Sequence, residues 1–145
     1  MNKFYGFFFV FLYLLSAEAL SQTFVYCVKF NVQTYSAVTR ERVEAAAWEK
    51  WTLSSAAEIS ELESIIKQGT ASKFDEDIVR CLIKSEKENI FIDAHGVVSR
   101  PHGTDIKIDI GKLRDFRDAL KPSQLEAFEK YFPLSGSTIF KLPKN

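Results

Sequence analysis

The sequence predicts an α+β domain in which helices pack on one face of a mainly antiparallel sheet, reinforced by one disulfide. Two observations predict the layers: helix-like and strand-like runs are grouped along the chain, and polar turns too short for a crossover separate the central strand-like runs. A third predicts the bridge, because the only two cysteines lie in separate strand-like runs. The order of predicted elements is β-α-α-β-β-β-β-α-α.

Residues 1–19 have the layout of a bacterial-type secretory signal. A basic residue precedes an uncharged run of 12 residues at 4–15, and the small residues Ala17 and Ala19 precede the predicted cleavage site. An uncleaved membrane anchor is the alternative, but a spanning helix needs about 20 apolar residues. The sequence therefore predicts cleavage after Ala19, leaving residues 20–145 as a single periplasmic or secreted domain.

Acidic and basic residues balance in this chain, and this argues against nucleic acids and anionic membranes as partners. There are 19 basic and 19 acidic residues, so the formal net charge is zero. A neutral chain lacks the basic surface that nonspecific nucleic-acid binding requires. It also lacks the polybasic patch that holds proteins on anionic lipid. We expect neither nucleic acid nor, beyond the signal peptide, a membrane as partner.

Cys27 and Cys81 are predicted to form a disulfide, because an even cysteine count in an exported chain indicates a bridge. The alternative is a pair of free, buried thiols. A closed loop of about 55 residues stabilises a fold by roughly 4 kcal/mol in the chain-entropy model. The bridge requires the first strand to pair or pack beside the strands around Cys81. A catalytic cysteine is disfavoured, since a free reactive thiol would be oxidised outside the cell.

The first half of the exported domain is predicted to contain one strand and two helices. The β-branched and aromatic run at 23–32 predicts the strand. A threonine cap and three alanines predict a helix over 39–51. Ser55, with a glutamate three residues later, forms a capping-box pattern that begins a helix over 55–69, and Gly69 is expected to end it.

The central part is predicted to be a meander of short strands. The segments 78–84 and 89–93 are apolar runs joined by a polar hairpin loop. Val79, Cys81 and Ile83 are expected to share one face of the first of these strands. The turn 93–96 follows, in which Gly96 is free to adopt a positive φ, and a short strand comes after it.

The last part is predicted to contain a short strand over 106–110 and two helices. The first helix carries an apolar stripe, and the second begins at Pro122 with its own stripe. A final strand or extended tail is expected over 138–142. The two stripes are Leu113, Phe116 and Leu120, then Leu125, Phe128 and Phe132.

Catalytic and metal chemistry find little support in the sequence. Asp93, His95 and His102 are close along the chain, but their spacing is a weak match to a zinc site, which needs three or four ligands in fixed geometry. His95 is a candidate general base for Ser99 or Ser85, yet no nucleophile elbow is present. We therefore predict no metal, no cofactor and no enzyme, and keep a small hydrolase using His95 as an alternative.

Two polar loops, 93–96 and 99–103, are the predicted partner-binding surface, since binding residues concentrate on loops held by a rigid scaffold. Their candidate residues are Asp93, His95, Arg100 and His102. Trp48 joins them as an interface candidate, because one of the two tryptophans is expected in the core and an exposed one marks a binding hot spot. That the loops only turn the chain is an equal alternative, with Asp93 capping its own turn.

The predicted signal, the cysteine pair and the segment VRCLIKSEKENIFIDAHGVVSR resemble small periplasmic immunity and inhibitor proteins. The resemblance extends over about residues 54–120 and carries over no binding residue. It implies a non-enzymatic protein that neutralises a toxin or cell-wall hydrolase by occluding its active site. The alternative from another class is a structural or assembly component of the envelope, associating through Trp48 or residues 138–142. A homodimer stays open.

Overall fold

The computed structural model describes residues 21–32, 34 and 36–128. The predicted signal peptide 1–19, Phe132 and the predicted strand 138–142 lie outside the described residues. Within the described part, eight strands form one sheet in the order β3-β7-β6-β5-β4-β1-β2-β8. The strands are β1 (Thr23–Cys27), β2 (Glu49–Leu53), β3 (Thr70–Ala71), β4 (Val79–Lys84), β5 (Asn89–Asp93), β6 (Val97–Ser99), β7 (Ile106–Lys107) and β8 (Leu125–Ala127).

Among the described residues, three α-helices accompany the sheet: α1 (Val43–Ala46), α2 (Ala56–Lys67) and α3 (Ile110–Ala119). All seven strand pairings are antiparallel, which confirms the predicted α+β class. No helix within residues 21–32, 34 and 36–128 is long and apolar enough to cross a membrane.

The sheet has an apolar core on each face. The two longer helices, α2 and α3, pack on the first face, as predicted, while the short α1 lies against the other. The first-face core includes Val25, Trp51, Leu53, Leu62, Ile66, Cys81, Ile83, Ile92, Leu113 and Phe116. The second-face core includes Val28, Val38, Val43, Phe74, Val79, Leu82 and Val97. Burial of both faces explains why β4 is apolar along most of its length.

The predicted disulfide is present. β1 pairs with β4 so that Cys27 lies directly opposite Cys81, with their Cα atoms 4.2 Å apart and a sequence separation of 54. The first strand therefore joins the same sheet as the central meander, as the bridge required. β1 ends at Cys27, earlier than predicted, although the Val28 amide still donates to the carbonyl of Arg80 at 2.7 Å.

The register of β4 corrects one prediction. A bulge separates Val79 from Cys81, so the side chain of Val79 joins the second-face core while Cys81 and Ile83 face the first. An extra residue in a strand reverses the alternation on one side of the bulge. The expectation that all three share a face is therefore wrong.

The helix α2 confirms its capping signal. The Ser55 side chain accepts a hydrogen bond from the Glu58 amide at 3.5 Å, and Leu62 and Ile66 are its buried residues. The helix ends at Lys67 with Gln68 as its C-cap, so Gly69 lies at the predicted C′ position. It also meets a steric requirement. A Cβ atom at Gly69 would overlap the carbonyl oxygen of Lys107, so glycine is needed where β3 and β7 approach closely.

Two predicted helices are wrong for a common reason. Over 39–51 only α1 is helical, and the chain then becomes extended and forms β2, which buries Trp51 and Leu53. After Pro122 the structure has a single 3₁₀ turn and then β8. Both segments became strands because they pair with each other and β2 also pairs with β1. Tertiary pairing overrides the local helix preference of alanine and glutamate.

The segment before α3 is also shorter as a strand than predicted. β7 has two residues, and the Asp109 side chain then caps α3 by accepting the Gly111 amide at 2.8 Å. The helix begins at Ile110, inside the predicted strand. Its apolar stripe is confirmed, because Leu113, Phe116 and Leu120 all enter the first-face core.

Candidate functional site

The antiparallel topology gathers several predicted residues at one end of the sheet. β1 and β5 finish at this end, and β2, β4 and β6 begin there. The turn 93–96, residues 28–31 and Trp48 therefore lie together, beside Cys27. We call this the disulfide end. The loops 85–88 and 99–103 lie at the opposite end.

Asp93 is a fully buried clamp for the turn that follows it. Its side chain has 0% exposure. One carboxylate oxygen accepts the amides of His95 at 2.8 Å and Val97 at 2.9 Å, and the other accepts the amide of Asp75 at 3.0 Å. A carboxylate in this position has no surface to offer a partner. The alternative interpretation, an aspartate that caps its own loop, describes what the structure shows.

The turn itself lies against the start of α3. Gly96 has φ of 77°, the left-handed region that was expected for this glycine. A Cβ atom there would lie 2.7 Å from Cγ1 of Ile110, so the turn and the helix are in close contact. His95 is exposed at the tip of the turn. The clamp and the helix together hold His95 in a fixed position at the disulfide end.

A cleft of about 670 Å³ opens beside this turn, between α3 and the sheet. Its volume falls in the range typical of ligand-binding sites, about 300–1,000 Å³. Ile110, which contacts Gly96, lines the cleft, and so does Trp48. The other lining residues are Cys27, Val28, Lys29, Phe30, Asn31, Glu49, Trp51, Leu113, Arg114, Arg117, Asp118, Ala127 and Phe128.

A polar network crosses the cleft from β2 to α3. Glu49 accepts hydrogen bonds from Trp51 Nε1 at 3.0 Å and from Arg117 Nη2 at 2.8 Å. Arg117 also donates to Asp118 at 3.0 Å. The hydrogen bond to Glu49, then that to Asp118, raises the pKa of Arg117 above its usual value. This network fixes the helix to the sheet and occupies both acidic groups of the cleft.

One tryptophan lies in the core, as the sequence predicted for at least one of the two, and the other is only partly covered. Trp51 is 3% exposed and belongs to the first-face core, but it also lines the cleft. Trp48 is half-buried, and the ammonium group of Lys29 lies 5.2 Å from its ring centroid. The Trp48 amide donates to the Cys27 carbonyl at 2.8 Å, which holds the indole beside the cleft.

Arg100 and His102 are not part of the disulfide end. They follow β6, whereas the turn 93–96 precedes it, so the strand separates the two predicted loops. His102 is exposed. Arg100 has a buried Nε and a buried Nη2 for which no hydrogen-bond partner is found among the described residues. The structure thus divides the predicted surface in two and places only His95 and Trp48 near the cleft.

The same separation affects the catalytic alternative. The hydroxyl of Ser99 accepts a hydrogen bond from Arg40 Nη2 at 2.9 Å, and that of Ser85 donates to the Glu88 carbonyl at 3.0 Å within its own hairpin loop. Neither serine is brought to His95. In the described part of the chain, no three histidine, cysteine or acidic side chains converge in a way that could hold a metal ion.

One polar cluster on the second face was not predicted. The Arg40 guanidinium lies 4.9 Å from the ring centroids of both Phe74 and Phe91 and donates to both carboxylate oxygens of Glu76 at 2.6 and 2.7 Å. The hydrogen bond to Glu76 raises the pKa of Arg40. Arg40 and Glu76 are 36 residues apart, so no local pattern links them. The cluster ties the segment before α1 to the second face.

A buried arginine lies near the clamp. Arg80, the extra residue at the β4 bulge, is 5% exposed and donates to the carbonyls of Val79 at 3.1 Å and Val32 at 3.2 Å. Burial lowers the pKa of Arg80, and the charge of Asp93 opposes that shift. Arg80 and Asp93 therefore support the same end of the sheet from inside.

Comparisons of the chain with protein-family models, with curated proteins and with solved structures find no match.

Proposed function

We propose that this chain is an exported binding protein that neutralises a toxin or cell-wall hydrolase by covering its active site. One observation carries the proposal: the turn 93–96, whose backbone is held by Asp93 and whose Gly96 contacts the cleft residue Ile110, presents an exposed His95 at the same end of the sheet as the cleft. A protruding loop next to a concave surface can be matched by a protein partner of complementary shape.

The rigidity of the turn supports a binding role. Burying a carboxylate is costly unless several donors compensate it, and a surface turn needs no such group. Asp93 is buried nonetheless and accepts three backbone amides. A loop that is already ordered loses little conformational entropy when it binds, and this raises its affinity. The clamp therefore supports a loop selected for recognition.

The disulfide supports the exported location. Bridges between cysteines persist in oxidising compartments such as the periplasm and the extracellular space. The Cys27–Cys81 bridge lies at the base of the cleft, since Cys27 lines it. Together with the signal predicted at residues 1–19, it is consistent with a protein that meets its partner outside the cytoplasm.

An assembly role has less support than a binding role. Self-association through sheet edges requires long, unpaired edge strands. In the described residues the two outermost strands are β3, with two residues, and β8, with three. Short edges offer few backbone groups to another copy.

The proposal is tested by site-specific photocrosslinking in the periplasm. A photoreactive amino acid replaces His95 in one variant and Lys87, in the hairpin loop at the opposite end, in the control. We expect the first variant to capture a toxin or hydrolase, and the purified mature protein to abolish that partner's activity at equimolar ratio. Capture by the Lys87 position alone, crosslinks only between copies of this chain, or an undiminished partner activity would contradict the proposal.

A further inference from the structure

The floor of the cleft is apolar and shaped by both layers of the fold. Leu113 from α3 is 1% exposed and Trp51 from β2 is 3% exposed, and both line the cleft from the first-face core. The aromatic rings of Phe30 and Trp48 line the sides. Such a floor favours an apolar or aromatic side chain, because burial contributes about 25 cal/mol for each Å² removed from water.

The charges around this floor are unequal. Lys29, Arg114 and Arg117 are its cations, and Glu49 and Asp118 its anions. Both anions are already hydrogen-bonded to Arg117. Lys29 lies over the Trp48 ring, and Arg114 is exposed with no hydrogen bond or ion pair to any described residue. Three cations against two anions give the cleft lining a net charge of +1, although the chain as a whole is neutral.

We infer that the cleft docks an acidic segment of the partner protein, in which a carboxylate neighbours an apolar or aromatic side chain. The apolar side chain fills the floor, and the carboxylate pairs with Arg114, whose planar fork suits bidentate recognition of carboxylates. Lys29 adds a second positive charge nearby. The inference rests on the proposed function, since it takes the occupant to belong to a protein partner.

The position of the cleft agrees with this assignment. Ile110 both lines the cleft and contacts the turn that carries His95. A partner held at His95 would therefore extend naturally over the cleft. Electrostatic attraction between an acidic segment and the two cations would also accelerate the encounter, and would weaken as salt screens it.

The test uses a random peptide library displayed on phage and selected on the oxidised mature protein. Selected peptides are then titrated in solution, with tryptophan fluorescence as the signal, because the only two tryptophans of the chain, Trp48 and Trp51, both line the cleft. We expect the selected sequences to share an aspartate or glutamate beside an apolar or aromatic residue. Their binding should change the fluorescence and weaken with rising ionic strength.

Matched charge reversals separate the cleft from general electrostatics. Arg114→Glu should weaken peptide binding about tenfold or more. Lys112→Glu, at an exposed site of the same helix outside the cleft lining, should change it less than about twofold. Circular dichroism confirms that both variants are folded, and Arg114→Gln provides a milder variant that is expected to fall between Arg114→Glu and the wild type.

Four outcomes would overturn the inference: no peptide selected, peptides without acidic residues, equal loss in both reversals, or a fluorescence change that follows protein concentration and dimer formation. Its failure is distinguishable from that of the proposed function. If the wild type and Arg114→Glu inhibited the partner equally, the proposed function would hold and the inference of an acidic docking segment would be wrong. If acidic peptides bound in the cleft but no toxin or hydrolase were inhibited, the inference about the cleft would hold and the proposed function would be wrong.

Discussion

Replacing Asp93 should destabilise the protein more than any exposed aspartate does, because its carboxylate accepts three backbone amides from inside the fold. The loss in the free energy of unfolding can be estimated for each amide donor separately, according to whether that donor is buried or exposed. Val97 is buried, so its unpaired amide should cost about 1–3 kcal/mol. His95 and Asp75 are exposed residues, so water can replace their partner and each amide should cost about 0.5–1 kcal/mol.

Asp93→Ala should therefore lower the free energy of unfolding by about 3 kcal/mol. Asp93→Asn should cost about 1–2 kcal/mol, because the retained oxygen still accepts the amides of His95 and Val97 while the new amide group opposes the Asp75 N–H. Asp93→Ala is expected to be the more destabilising of the two variants because it loses all three hydrogen bonds of the clamp, and not because its side chain is smaller.

The assay is urea unfolding of the oxidised mature protein, monitored by tryptophan fluorescence. The free energies are compared between variants that unfold with the same dependence on urea concentration (the same m-value). Asp109→Ala is the matched control, since its side chain caps α3 through one amide, that of Gly111, at 2.8 Å. Loss of such a cap costs about 1 kcal/mol. If Asp93→Ala were no more destabilising than Asp109→Ala, the clamp would not hold the turn in the way described.

Three further predictions concern the bridge, the second face and the turn. Replacing Cys27 and Cys81 together by alanine should lower the free energy of unfolding by about 4 kcal/mol, given their separation of 54 residues; a loss below about 1 kcal/mol in urea would contradict this. Arg40→Lys, which loses the guanidinium fork and its aromatic stacking, should cost about 1–2 kcal/mol at a site that is partly exposed, whereas Arg42→Lys at an exposed site should change stability by less than about 0.5 kcal/mol. Gly96→Ala should cost about 2 kcal/mol through its positive φ and its contact with α3, and it should weaken partner binding; equal stability and equal affinity would show that the turn tolerates a side chain.

Local signals in the sequence predicted the parts of the fold that depend on local interactions. The cap at Ser55, the hairpin loop 85–88 and the glycine at position 96 each act within a few residues. The cysteine pair predicted a long-range pairing because a covalent bond leaves few alternatives. These features sufficed for the fold class and for the order of the central strands.

The sequence did not predict the cleft, and the reason is physical. β2 and β8 form part of its lining, and local sequence patterns predict helices over both segments. Their pairing places Glu49 opposite Ala127. These residues are far apart in the sequence, and a local hydrophobic pattern carries no information about such a pairing. Trp48 alone was identified in advance, by residue type. The paired roles of Glu49 and Arg117 needed the tertiary structure.

The measurement that tests the central claim most directly is hydrogen–deuterium exchange of the mature protein alone and in complex with the partner captured at His95. We expect slower exchange on binding at the turn 93–96 and at residues 28–31, which belong to the disulfide end, and at the first turns of α3, which line the cleft. Protection confined to the hairpin loop 85–88, to loop 99–103 or to the outermost strand β3 would contradict the account.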